Sequence, residues 1–151
     1  VHLKQRLLRI IRVLENPDWT RPESAQASRN SDAASKVYDT RLSTYWTTER
    51  PQRVGDWLEL TPGPGTLVRG IAVISAPEFG AGPAGFRVTG TTPSGEFVLL
   101  AQLRFVKMPR KGWHVSRFDP VELSTVRIAL TSPRSHPWVV SEARLITSKE
   151  N

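Results

Sequence analysis

The spacing of apolar residues changes once along this chain, and that change limits the folds open to it. Leu3, Leu7, Ile10, Ile11 and Leu14 recur at helical spacing, with Arg6, Arg9 and Arg12 on the opposite side. At roughly 100° per residue the apolar set covers an arc of about 100°. Asn16-Pro17 ends the pattern, because proline has no amide to continue the hydrogen bonding. After that the period is two. Short apolar runs lie at 24–28, 57–60, 67–75, 86–90, 97–103, 113–118, 126–130 and 139–146. Turn signals such as Thr61-Pro62-Gly63-Pro64-Gly65, Pro93-Ser94-Gly95 and Ser132-Pro133 separate them. Eight short runs of this kind predict an all-β, antiparallel sandwich or barrel. No helix alternates with the strands, which excludes a parallel α/β sheet. Residues 1–17 read as an N-terminal amphipathic helix and 18–151 as one β-sandwich domain.

At 151 residues the chain is one domain by size, long enough for a core without staples. It has no cysteine, so neither disulfides nor thiolate metal sites hold it. No apolar run reaches the roughly 20 residues of a membrane span. The first residue is Val1 rather than methionine, which reads as a piece of a longer protein. The 21 Lys and Arg outnumber 14 acids, for a net charge of +7 and a pI near 10.5. That charge permits anionic partners. The basic residues are scattered over turns without an aromatic-rich motif, so nucleic acid is not the expected partner. The helix reads as packed on the sandwich or on another protein or domain. A basic helix lying on an anionic membrane is the alternative.

Catalytic signatures are missing. His2, His114 and His136 lack metal-ligand spacing. Neither a nucleophile elbow nor a P-loop is present. In Gly80-Ala81-Gly82-Pro83, the proline removes an amide that a phosphate cradle would use. The carboxylates are too dispersed to argue an acid–base pair. The chain therefore reads as a binding module rather than an enzyme.

The stretch Tyr38-Asp39-Thr40-Arg41-Leu42-Ser43-Thr44-Tyr45-Trp46 is more informative. It is a turn with one carboxylate, hydroxyls and carbonyls, leading into a bulky indole. Oxygen ligands on a tight loop suit a hard cation; an Asx-type turn without metal fits the same residues.

Asp39, Thr44 and Trp46, at this spacing, resemble the entry motif of discoidin domains, also called coagulation factor V/VIII type C domains. That family includes bacterial galactose-binding-like carbohydrate modules. Gly55-Asp56-Trp57-Leu58-Glu59-Leu60 resembles the family's second signature. Pro83 through Val88 with Phe86, Ser94-Gly95-Glu96-Phe97 and Val126-Arg127-Ile128 resemble later ones. Trp138-Val139-Val140-Ser141-Glu142-Ala143-Arg144-Leu145 resembles the closing strand. The likeness runs from about 24 to 147. It implies an eight-stranded jelly-roll sandwich with Trp46 and Trp57 in its core. It also implies a structural Ca²⁺ held by Asp39, Thr44 and Glu142, with the Ser141 carbonyl nearby. One position departs: Thr40 stands where the family usually has glycine, and threonine is unfavourable at positive φ.

Family members bind ligands on loops at one end of the sandwich. Here these are 29–33, 47–53, 76–83, 108–112 and 132–137. The first lacks the apolar spikes of membrane-inserting members, so insertion by the sandwich is not expected. The sugar-contacting histidine of the galactose binders is replaced in Trp46-Thr47-Thr48. Glu49, Arg50, Glu78, Phe79, Arg134 and His136 are the candidate ligand residues. Phe79 would be the aromatic platform and the charged groups would take hydroxyls or a sugar carboxylate. The expected function is a non-catalytic carbohydrate-binding module in a larger extracytoplasmic bacterial protein. Its expected ligand is a glycan or cell-envelope polysaccharide. The alternative is a discoidin-like protein-interaction adaptor.

Overall fold

The computed structural model describes residues 2–75, 83–104 and 113–147. Helix α1 (His2–Leu14) precedes β1 (Trp19–Thr20), β2 (Ser24–Ala27) and a 3-10 helix (Ser31–Tyr38). Next come β3 (Trp46–Thr47), β4 (Trp57–Thr61), β5 (Leu67–Ile74) and β6 (Phe86–Thr91). The chain continues with β7 (Phe97–Leu103), β8 (Trp113–Glu122), β9 (Thr125–Leu130), β10 (Val139–Val140) and β11 (Glu142–Thr147). One sheet has the order β1-β11-β5-β8 and the other β2-β4-β9-β6-β7, while β10 pairs with β3 in a separate ribbon. Every pairing is antiparallel. This is the expected jelly-roll sandwich, with eleven strands among the described residues instead of eight.

The difference has local causes. β1 and β3 are two-residue strands inside stretches that carry no alternation. The apolar run 139–146 is cut at Ser141, whose N–H donates to the Ile74 carbonyl at 2.7 Å. Before that point the chain pairs with β3, and after it with β5. The 3-10 helix is also absent from the sequence reading, which took 29–33 for a loop.

The core lies between the sheets. Leu58, Leu60, Val88, Val126 and Ile128 come from the five-stranded sheet, and Val68, Ile71, Val73, Ala143 and Leu145 from the four-stranded one. The alternation decides Trp57. In β4 the inward positions are taken by Leu58 and Leu60, so Trp57 faces out and is only half-buried. It is not the core residue expected. Its ring is covered by the Arg127 guanidinium at 3.9 Å, which also pairs with Glu59 at 2.9 Å. Trp46 is fully buried, as expected.

Helix α1 lies on the outer face of the four-stranded sheet. Ile10 is fully buried in a cluster with Trp19, Ala72, Ile74 and Ile146. Leu8 and Ile11 remain exposed. Among the described residues no helix is long and apolar enough to cross a membrane.

Trp46→Ala is expected to destabilise the fold by about 3–5 kcal/mol, through the cavity it leaves. Trp57→Ala should cost at most about half as much, since its outer face already meets solvent. Urea denaturation of the two variants checks the order; equal losses would contradict this placement of the two indoles.

Candidate functional site

Two loops far apart in sequence, 47–53 and 132–138, are locked together, and Gln52 is the centre of the lock. Its side chain is almost fully buried. Its Oε1 accepts the Ala84 N–H at 2.7 Å and its Nε2 lies 3.4 Å from His136 Nδ1. Its own N–H donates to the His136 carbonyl, and its carbonyl accepts the Arg134 N–H. The amide side chain can donate and accept at once, so it ties the 47–53 loop both to Ala84 and to His136. Further bonds extend the contact. Thr48 N–H donates to the Trp138 carbonyl at 3.1 Å, and Thr48 Oγ1 accepts the Trp138 N–H at the same distance. Gly85 N–H donates to Ser132 Oγ.

Most of the expected ligand residues therefore share one end of the sandwich. Glu49 is exposed; Arg50, Arg134 and His136 are half-buried. Arg50 is partly committed: its Nη2 pairs with the buried Asp56 at 2.9 Å. Its Nε and Nη1 are buried without a hydrogen-bond partner among the described residues. Asp56 Oδ2 also accepts the Arg53 N–H, closing the turn. Glu78 and Phe79, with 76–82, lie outside the described residues, as does the 108–112 loop.

Beside the same loop, sharing Thr47 and Glu49 with it, is an open groove of about 420 Å³. Asn30, Lys36, Ser43, Tyr45, Thr47 and Glu49 contribute to its lining. Asn30 Nδ2 donates to the Thr47 carbonyl at 2.8 Å, joining the 3-10 helix entrance to β3. The groove offers one aromatic ring beside hydroxyls, an amide, an ammonium and a carboxylate. Tyr45 gave no distinctive signal in the sequence, since it sits between Thr44 and Trp46 in a motif read for its metal ligands. Gln52 gave none either.

The residues for which the resemblance implies a metal site lie on the turn after the 3-10 helix and on β11. The Thr44 hydroxyl donates to Asp39 Oδ2, and Asp39 Oδ1 accepts the Arg41 N–H at 2.9 Å. Thr40 adopts φ 65°, the left-handed conformation glycine would take without strain. Glu142 and Ser141 are fully buried. A residue the sequence reading passed over enters here. Arg144 is 2% exposed, and its Nη1 donates to Glu142 Oε2 at 3.1 Å. It also donates to the carbonyls of Val37 at 3.3 Å and Ala143 at 2.9 Å, and through Nη2 to Thr40 Oγ1 at 3.3 Å. Burial pushes Glu142 up to about 7, against the pull of Arg144 and of the Thr40 backbone N–H; the charge of Asp39 adds to the rise. Glu142 Oε1 is buried and has no hydrogen-bond partner among the described residues. That oxygen is the observation by which the donor set fits a hard cation. Two carboxylates alone do not make a cage, and no group of three His, Cys, Asp or Glu side chains forms among the described residues. Hydroxyl and carbonyl oxygens would supply the rest, as they do for calcium.

No protein-family model matches the chain, and no curated protein sequence does. Solved structures do. The family 32 carbohydrate-binding module of C. perfringens NanJ, in complex with galactose, is 17% identical with a TM-score of 0.69. That match covers 81% of this chain and 91% of the module. Chitosan-binding module 1 from a Paenibacillus sp. IK-5 chitosanase/glucanase is 15% identical, with a TM-score of 0.67, over 83% of this chain and 96% of that one. The family 32 module of AlyQ, in complex with 4,5-unsaturated mannuronic acid, is 14% identical with a TM-score of 0.65 over 84% and 96%. This chain has the discoidin-type, galactose-binding-like fold. At such identities the likeness carries the discoidin-type architecture and not the ligand.

In this discoidin-type sandwich Gln52→Ala should leave the Ala84 N–H buried without its acceptor, while the backbone bonds from Gln52 to Arg134 and His136 remain. The expected loss is about 1–3 kcal/mol, with faster hydrogen exchange at Ala84 and little change at Arg134. Unchanged protection at Ala84 would show that its amide is held by another contact.

Proposed function

We propose that this chain is a non-catalytic carbohydrate-binding module whose ligand end is built from loops 47–53 and 132–138. The observation that carries this reading is their convergence on Gln52. It holds Arg134 and His136 against the loop that carries Glu49 and Arg50. Saccharide sites use planar polar groups around an aromatic wall; Tyr45 in the adjoining groove supplies one such wall. The fold neighbours named above carry galactose, an unsaturated mannuronic acid or a chitosan-binding designation, which supports saccharides as a class. A net charge of +7 favours an acidic one. Arg134 is the residue to meet a sugar carboxylate, since a guanidinium matches that group's geometry; Arg50 is turned to the buried Asp56 and shapes the loop instead. A cell-envelope polysaccharide is the natural source, with the chain acting inside a larger extracytoplasmic bacterial protein. The Paenibacillus module, derived from a chitosanase/glucanase, supports the appended arrangement.

Calcium belongs to the same proposal. Asp39, Thr44 and Glu142 Oε1, with the Ser141 carbonyl, would hold it. When bound, the ion supplies positive charge that fastens the first loop to the last strand. The second reading is a protein-interaction module. It is favoured by β7, an edge strand with Phe97 72% and Leu99 57% exposed.

A glycan array with neutral and uronic-acid oligosaccharides tests the first reading. Retention on an acidic glycan is expected. Arg134→Ala should weaken it by about tenfold or more, the loss of one charge-assisted contact, with little change in melting temperature. An array that retains no glycan rejects the carbohydrate reading.

A further inference from the structure

We propose that Arg144 is a built-in counter-ion for the oxygen cluster, holding the 39–44 loop against β11 whether or not a cation is bound. The inference starts from where the guanidinium is. Arg144 is in the last strand and almost inaccessible to solvent. A buried guanidinium needs acceptors on all sides. Its acceptors come from two segments. Glu142 Oε2 and the Ala143 carbonyl belong to β11; the Val37 carbonyl and Thr40 Oγ1 belong to the end of the 3-10 helix and the turn after it. These are the two segments that a bound ion would tie. The charge count points the same way. Asp39 and Glu142 bring up to two negative charges to the cluster, and Arg144 offsets one of them.

The guanidinium also divides the Glu142 carboxylate. It takes Oε2 and leaves Oε1 without a partner. An ion can then be accepted through Oε1 without displacing Arg144. This half of the inference rests on the calcium reading above; the counter-ion half does not. Arg144 is a positioning residue, since it acts on the ion through Glu142. Its removal would leave two carboxylates with no internal cation. The calcium-free state should suffer most, because the ion can replace the missing charge.

Thermal unfolding tests this in EDTA and in millimolar calcium chloride, with terbium luminescence as an independent readout of ion binding. The samples are the parent chain, Arg144→Met, and the double variant Glu142→Gln with Arg144→Met. The parent should unfold cooperatively in EDTA and rise by a few degrees with calcium. Arg144→Met should lose melting temperature in EDTA, and its calcium shift should be about twofold larger or more, by mass action on a weakened apo state. In the double variant the unpaired carboxylate is gone, so melting temperature in EDTA should recover in part and calcium should no longer matter. A parent chain that needs calcium to fold overturns the proposal. So does an Arg144→Met loss that is equal with and without calcium and is not relieved by Glu142→Gln. If Arg144→Met does not fold in either buffer, the double variant decides: folding in EDTA supports the counter-ion role, and failure to fold overturns it. No calcium shift and no terbium signal in the parent, with relief by Glu142→Gln intact, would remove calcium and leave Arg144 as the counter-ion.

Discussion

Trp46 and Trp138 meet edge to face, with ring centroids 5.0 Å apart, and the arrangement of the loop end follows from that contact. Both rings are fully buried. An edge-to-face pair is favourable beyond the area it buries, because a ring's positive edge meets a negative face. The contact joins the end of the 39–44 turn to the end of the 132–138 loop. The backbone reinforces it through the β3–β10 ribbon, where Trp46 is paired with Val140 and Thr47 with Val139. Trp46 Nε1 donates to the Arg29 carbonyl at 2.8 Å, drawing in the entrance of the 3-10 helix. Three chain segments therefore meet at one indole. The oxygen cluster lies just before it in sequence, and the surface bearing Glu49 and Arg50 just after it.

The fold was legible because its physical basis is periodic. Strands 57–61, 67–74, 86–91 and 125–130 announce themselves by alternation between turns, 97–103 by an apolar run, and the helix by its stripe. What escaped has no period. A 3-10 helix at Ser31–Tyr38 has a mixed pattern, and β3 and β10 are too short to alternate. Alternation also cannot say which face is inside when both carry large residues. In β4, two leucines claim the core and Trp57 is left outside under Arg127.

The candidate site was legible where its residues are charged and adjacent to a motif. Asp39 and Thr44 stood out as an oxygen-rich turn, while Glu142 was named only through the family resemblance; in the structure Arg144 of β11 bonds Glu142 and reaches Val37 and Thr40 beside that turn. Gln52 was not, since a neutral amide in a polar loop looks like any solvated residue. Arg144 was missed for a different reason. Glu142 and Arg144 alternate with Ala143 and Leu145, a pattern that ordinarily puts the charged pair in water. Here every residue of β11 is buried. Ile10 of α1 packs on Ile146 from that side, and the Val37 carbonyl of the 3-10 helix reaches Arg144. Burial by a distant element cannot be read from a strand's own sequence.

The backbone carries a related signal. The non-glycine residues with positive φ among those described are Asn30, Thr40 and Glu49. Each costs of order 1 kcal/mol relative to a relaxed backbone, least for asparagine. They do not scatter over the turns of the sandwich, where Gly55, Gly65 and Gly95 take the positive φ values instead. Asn30 and Glu49 both line the groove, and Thr40 meets Arg144 in the oxygen cluster. At Glu49 the kink is stabilised locally, since its N–H donates to Thr47 Oγ1 at 3.1 Å. The residue is exposed, as the alternation of buried Trp46 and Thr48 with outward Thr47 leads one to expect, and it lies at the rim of the groove. A turn selected only for stability would put glycine or asparagine there. At Glu49 the positive φ is held by the Thr47 hydroxyl and not relieved by a glycine, which stiffens this edge of the groove.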